Sequence, residues 1–321
     1  MNKNKSLWSI FIKLAIVLVS CWFIYQKVFI KERFTDYQNS YRQFIDNGDH
    51  ILILTLVMAL MLLNWGLESI KWKMMVRKIE RITFFKAIEA VCSGITVSFF
   101  TPNRVGEFAG RVFYLDKADR IKAALIAVIG SFGQTIVTIT FGGLSLILYC
   151  HDILKLDLYL FLPIAAITFL LVLSLCLFYF NTPILTLLSD KIDWLRKYHK
   201  YTEVFSYFTK KELMKVFLLC ILRYLVFSLQ YYLLLIISDV PLSFLQGMMM
   251  ISMVFFIVTV VPTIALTEIG VRGASATYFI GMISTNHFGI LLASFTLWII
   301  NLVIPSILGA VFAFNFKLFR N

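Results

Sequence analysis

Residues 97–115, VSFFTPNRVGEFAGRVFYL, and residues 258–278, VTVVPTIALTEIGVRGASATY, repeat one pattern. Each sets a proline inside a strongly apolar segment, follows it with a polar residue able to cap a helix, and then places Glu and Arg four apart. Pro102 and Asn103 precede Glu107 and Arg111; Pro262 and Thr263 precede Glu268 and Arg272. A charge in lipid costs at least about 2.5–3.5 kcal/mol on insertion scales. Two charged pairs at matching places in two halves of one chain are therefore not expected by accident, and the remaining sequence reads as scaffold for them.

The composition supports a membrane setting. Of 321 residues, 60% are hydrophobic and 15% charged, with a mean hydropathy of +0.84; a soluble domain is roughly 45–50% apolar. The apolar runs exceed the roughly 20 residues that a helix needs to cross a bilayer, unlike the short alternating segments of a membrane β-barrel. The expected fold class is all-α: a polytopic membrane protein forming a single transmembrane domain over residues 1–321.

Six full spans are expected at residues 7–29, 51–70, 123–149, 158–180, 213–237 and 288–316. The first is read as an uncleaved anchor, because no small-residue cleavage site follows it. Two interrupted segments, residues 87–115 and 244–281, have arms of about 15 residues, too short to cross comfortably, and fit re-entrant hairpins. Residues 183–211 alternate apolar and charged side chains at helical spacing, as an interfacial helix does.

Lys and Arg orient this drawing, since they collect in cytoplasmic loops. With the amino terminus inside, the cytoplasm receives Lys3, Lys5, six basic residues from Lys71 to Lys86, three from Lys117 to Lys122, seven from Lys191 to Lys215, and Lys317 with Arg320. The outside receives Lys27, Lys31, Arg33, Arg42 and Lys155. Both termini are then cytoplasmic, and the net charge of +12 faces the membrane surface, with no nucleic-acid partner implied. Each half, about residues 7–149 and 158–316, makes an odd number of full passes, so the second repeat is inverted. Inverted repeats with broken helices mark the binding sites of transporters. The same charge distribution fits full crossing of both arms.

Helix geometry suggests what the breaks do. The second arm of each hairpin would start in mid-membrane, where free N–H groups and the helix dipole favour an anion, with Asn103 and Thr263 as caps. Arg104, Glu107 and Arg111 would line one helix face, repeated by Glu268 and Arg272. Guanidiniums there would suit a phosphate, which Arg grips bidentately. The plainer reading is a pair of structural salt bridges holding helices together. Gly106, Gly110, Gly270 and Gly273 are expected at close helix contacts. Arg223 either snorkels to the cytoplasmic face or joins the site, with Gln230 two turns deeper on its face.

Signs of enzymatic chemistry are sparse. His50, His151, His199 and His287 share no ligand spacing, the five cysteines form no CxxC, and neither a Walker loop nor GxGxxG occurs. No cofactor or metal is expected.

Residues 93–115, SGITVSFFTPNRVGEFAGRVFYL, and 262–279, PTIALTEIGVRGASATYF, resemble the two signature regions of the lysylphosphatidylglycerol synthase transmembrane (flippase-like) family, a likeness that covers about residues 7–316. The resemblance implies a lipid-handling domain of the cell membrane, which in bifunctional synthases moves aminoacylated phosphatidylglycerol between leaflets. It assigns Pro102, Arg104, Gly106, Glu107 and Arg111 to the first motif, and Pro262, Glu268 and Arg272 to the second. Residues 264–267, Ile-Ala-Leu-Thr, replace the glycines that members often carry before the Glu. Only five residues follow Phe316, so a stand-alone member without the aminoacyl transferase domain is expected. The leading expectation is a lipid translocase, a flippase or scramblase for a phospholipid or a polyprenyl-phosphate-linked headgroup. Alternatives are a membrane enzyme acting on a lipid-linked substrate, with Glu107 or Glu268 as acid or base, and an accessory subunit of an envelope biosynthesis complex.

Overall fold

The computed structural model describes residues 48–101, 104–182, 199–263 and 265–315, and these are helical with no strand among them. The helices are α1 (Gly48–Val76), α2 (Phe84–Phe99), α3 (Gly106–Val112), α4 (Arg120–Leu148), α5 (Leu158–Phe180), α6 (Lys210–Ile237), α7 (Phe244–Val260), α8 (Ala265–Phe279), α9 (His287–Trp298) and α10 (Ile304–Asn315). Polar side chains set many of the starts, each accepting an orphan backbone N–H of a first turn. Thr83 caps α2, Asp119 caps α4, Ser243 caps α7 and Asn286 caps α9, while Thr209 and Glu212 form a full capping box on α6.

Five helical stretches among the described residues are long and apolar enough to span a bilayer: α1, α4 with its π-helical extension to Ile153, α5, α6, and α9 running into α10. They correspond to the last five expected spans; residues 7–29 lie outside the described residues. The chain is thus a polytopic α-helical membrane protein. Helix α5 suits a lipid contact, since Tyr179 is its only buried residue while Leu160, Phe169 and Leu170 stand exposed.

Two ends of the bundle can be told apart by their polar contacts. Helices α1 and α6 run antiparallel, because Arg223 meets Asn64 while the Gln230 amide donates to the carbonyl of Val57. At the end where α1 finishes and α6 starts, Lys78 pairs with Glu212 at 2.7 Å, Lys86 with Asp116 at 2.6 Å and Lys122 with Glu203 at 2.6 Å. Most of the basic loops expected on the cytoplasmic side share this end. At the other end the Asn286 amide donates to the carbonyls of Ser238 and Asp239, and the Tyr149 hydroxyl meets the Met282 sulfur at 3.2 Å.

Each interrupted segment folds back on itself. Helices α2 and α3 form an antiparallel hairpin whose base lies at the first end and whose closeness is set by glycine. A Cβ on Gly110 would stand 2.6 Å from the Gly94 Cα, and one on Gly94 would stand 2.8 Å from the Glu107 carbonyl. Helices α7 and α8 make the second hairpin, with its base at the opposite end beside Asp239 and Met282. The first hairpin also packs along α10, where Thr96 and Ser93 donate to the carbonyls of Ser306 and Gly309.

Residues 183–198 of the expected interfacial helix lie outside the described residues; the described remainder is helical over His199–Thr202 and Glu203–Ser206 and ends before Thr209. Lys210 and Lys211 instead open α6, because the Thr209–Glu212 capping box starts that helix before them. One expectation needs correction. Lys71 does not belong to the cytoplasmic cluster. Helix α1 continues six residues past residue 70, which draws Lys71 into the interior.

Candidate functional site

Between the hairpin tips and the helices α1, α4, α6 and α9 lies a cavity of about 460 Å³ whose wall includes Glu68, Arg104, Glu107, Arg223, Glu268 and Arg272. The two sequence motifs meet here. Arg104, just before α3, donates from Nη2 to Glu268 Oε2 on α8 at 2.6 Å, an ion pair that joins the two hairpins.

Both spacings of four produce the expected pairs. Arg111 donates to Glu107, and Arg272 donates to Glu268 at 2.6 Å. The remaining expectations for the first arm change. Arg104 adopts a left-handed backbone, φ 56°, which non-glycine residues seldom take outside functional or strained sites. It therefore leaves the face shared by Glu107 and Arg111 and reaches across to the other hairpin. Helix α3 begins with Val105 at the cap position and no side-chain cap; the Gly106 N–H instead donates to the Thr101 hydroxyl at 2.8 Å. Pro102 and Asn103 lie outside the described residues. In the second arm, Pro262 and Thr263 both line the cavity, and the described part of α8 runs from Ala265. The first turns of α3 and α8 hold Glu107 and Glu268, so protein carboxylates already occupy the dipole ends that the sequence left open for an anion.

The structure adds a third acidic centre that the motifs did not reveal. Glu68, 1% exposed in the last third of α1, takes a hydrogen bond from Arg111 at 2.7 Å and stands within ion-pair distance of Lys71, 2.7 Å, and Arg223, 2.9 Å. Arg223 is therefore part of the site and does not snorkel. Its guanidinium also donates to Asn64 and lies over the Trp65 ring, 4.9 Å from the centroid. A sequence signal did exist: Glu68, Ser69 and Lys71 interrupt an apolar helix, and Glu68 and Lys71 stand at the i,i+3 spacing of an ion pair.

The guanidiniums differ in what they can still do. Arg111, sandwiched between Glu107, Glu68 and the Trp72 ring, is enclosed and does not line the cavity. Arg272 does line it. It is 5% exposed, its Nη2 is used by Glu268, and its Nε and Nη1 have no hydrogen-bond partner among the described residues. Phe227 and Phe255 flank the cation, with ring centroids 5.8 and 5.7 Å away. Two buried donors left open on a cavity wall are an uncommon expense, of about 1–3 kcal/mol each or more for a charged group.

Beside these charges the wall also carries neutral polar groups. A π-helical turn, Ile299–Val303, joins α9 to α10 and carries Asn301, which accepts from the Asn64 amide at 3.1 Å. Pro305 explains the turn: lacking an N–H, it cannot close a regular helical bond to residue 301, and such bulges recur at functional sites.

The family model described as the lysylphosphatidylglycerol synthase TM region matches residues 10–309, nearly the whole chain. The chain belongs to this family. Both charged hairpin tips and Glu68 fall inside the region matched by the lysylphosphatidylglycerol synthase TM model. No curated protein and no solved structure matches the chain.

Proposed function

We propose that this protein is a lipid translocase of the cell membrane, a flippase or scramblase that carries a phosphate-bearing headgroup past the bilayer midplane without altering it. One observation carries this reading: hairpins based at opposite ends of the bundle join through Arg104 and Glu268 beside a cavity in which two Arg272 nitrogens have no partner among the described residues. In a bilayer such hairpins are re-entrant, the two halves form an inverted repeat, and the end carrying Lys78, Lys86 and Lys122 faces the cytoplasm together with both termini. A headgroup phosphate enters the cavity, accepts a hydrogen bond from an open Arg272 nitrogen, and competes with Glu268 for Arg104 and for Arg272 Nη2. The acyl or prenyl chains stay in lipid. Opening of the Arg104–Glu268 contact then exposes the site to one leaflet at a time, which is the alternating access expected of inverted repeats.

A leaflet-resolved assay with a fluorescent phospholipid in proteoliposomes tests the reading. The natural chain is expected to equilibrate the lipid between leaflets, and Arg272→Gln and Arg104→Gln to slow it severalfold while thermal unfolding in detergent shows both variants folded. Equal movement in all three would remove the phosphate role, and recovery of a chemically changed lipid would replace translocation with an enzymatic reaction.

A further inference from the structure

The charges around the cavity do not balance. Glu68, Glu107 and Glu268 face Lys71, Arg104, Arg223 and Arg272 on the wall and Arg111 behind it, tied to Glu68 and Glu107. That ion-pair cluster sets five cations against three carboxylates, which leaves two positive charges among the described residues. Arginine does not deprotonate in proteins, so four guanidiniums against three carboxylates fix an excess of one. Lys71, held 2.7 Å from Glu68 and buried, supplies the second. Lys71, Arg111 and Arg272 are each at least nine-tenths buried, so water does not offset the excess as it would at a surface.

We infer that the headgroup seated in the cavity carries two negative charges, as a phosphomonoester or a diphosphate does, and that a singly charged phosphodiester is the poorer ligand. This rests on the translocase reading and narrows its substrate. A phosphomonoester bears about −1.5 to −2 near neutral pH, which cancels the excess, whereas a diester leaves one cation uncompensated in a low-dielectric site. The two open donors of Arg272 mark where its oxygens bind, and Arg104 and Arg223 close on the same volume.

Trp65 and Trp298 line the cavity, so intrinsic fluorescence of the detergent-solubilised full chain reports occupancy. The probes are short-chain phosphatidate, farnesyl diphosphate, short-chain phosphatidylglycerol and inorganic phosphate. Phosphatidate and farnesyl diphosphate are expected to bind about tenfold or more tightly than phosphatidylglycerol, a difference of about 1.4 kcal/mol, with inorganic phosphate weaker than both. The preference should move with the charge of the site. Arg104→Gln lowers the ratio of phosphatidate to phosphatidylglycerol affinity, and Glu107→Gln, which leaves Arg111 its Glu68 partner, raises it.

Equal affinity for monoester and diester, or a ratio unmoved by either variant, overturns the inference and leaves the translocase reading standing. Inorganic phosphate binding as tightly as phosphatidate overturns the lipid assignment. Failure of all four probes to bind overturns the phosphate site itself, and with it both readings.

Discussion

Arg104 Nη2 and Glu268 Oε2 lie 2.6 Å apart although 164 residues separate them in the chain. The two partners are unequal: the Arg104 side chain is 40% exposed, whereas Glu268 is almost wholly buried between Arg104 and Arg272. A contact between a reachable arm and a fixed base suits a latch, because breaking it exposes only one new charge to the cavity.

The first prediction uses that inequality. Arg104→Ala is expected to change folding stability by less than about 1 kcal/mol, as for other partly exposed pairs, and still to slow lipid movement. Glu268→Ala strips the buried Arg272 of its carboxylate and is expected to cost about 3–5 kcal/mol. Thermal unfolding in detergent beside the proteoliposome assay separates the two; equal destabilisation would mean that the contact is ordinary structural glue.

Glu68 supports a second prediction. It pairs with Arg111, Lys71 and Arg223 at once, whereas the ion pair of Glu107 among the described residues is with Arg111, which Glu68 also holds. Glu68→Gln should therefore destabilise the fold by about 3–5 kcal/mol and Glu107→Gln by distinctly less. Unfolding transitions that rank the two in the opposite order would contradict the central place given to Glu68.

The sequence showed the hairpins and their i,i+4 pairs because these are local: a proline in an apolar run and a spacing of four are visible in one dimension. The Arg104–Glu268 contact and the Glu68 cluster were hidden, since both depend on which helices become neighbours. Lys71 illustrates the difficulty. It follows Ile70 and precedes Lys73 and Arg77, so by composition it belongs to a cytoplasmic basic loop; only the extension of α1 to Val76 turns it inward. Arg104 was misplaced for a different reason. A left-handed backbone at a non-glycine residue leaves no trace in residue spacing, so three side chains at positions 104, 107 and 111 read as one helical face.

A third prediction concerns the close approach in the first hairpin. Gly110→Ala places a Cβ against the backbone of Gly94, which cannot yield as a flexible side chain would, and a cost of about 1–3 kcal/mol is expected. Gly66→Ala in α1 is the control. A Cβ there meets nothing within 4 Å, so the gain of helix propensity, roughly 0.5–1 kcal/mol, should appear as unchanged or raised stability. Loss of transport in Gly110→Ala with unaltered stability would show that hairpin spacing matters for movement and not for folding.

The last prediction lies at the bundle end assigned to the cytoplasm. Glu80, in the turn between α1 and α2, accepts the backbone N–H groups of Asp116, Lys117 and Ala118 and sits 3.8 Å from the Lys86 ammonium. Partial burial works to raise its carboxyl pKa, but the three N–H donors and Lys86 outweigh it and hold the value below the ordinary carboxylate range. Because the folded value is the lower one, the stabilisation is fully present above the unfolded value, about 4.3, and is lost as pH falls through the folded value. This carboxylate ties the base of the first hairpin to the end of α1, so its protonation should loosen residues 113–118 before the bundle opens. Hydrogen exchange at Asp116, Lys117 and Ala118 is therefore expected to accelerate in acid relative to exchange within α4, after correction for intrinsic rates. In Glu80→Gln the acceleration should already be present at neutral pH and vary little with acid. Protection at those three amides that survives in Glu80→Gln would assign their order to packing of the hairpin and remove the carboxylate from the account.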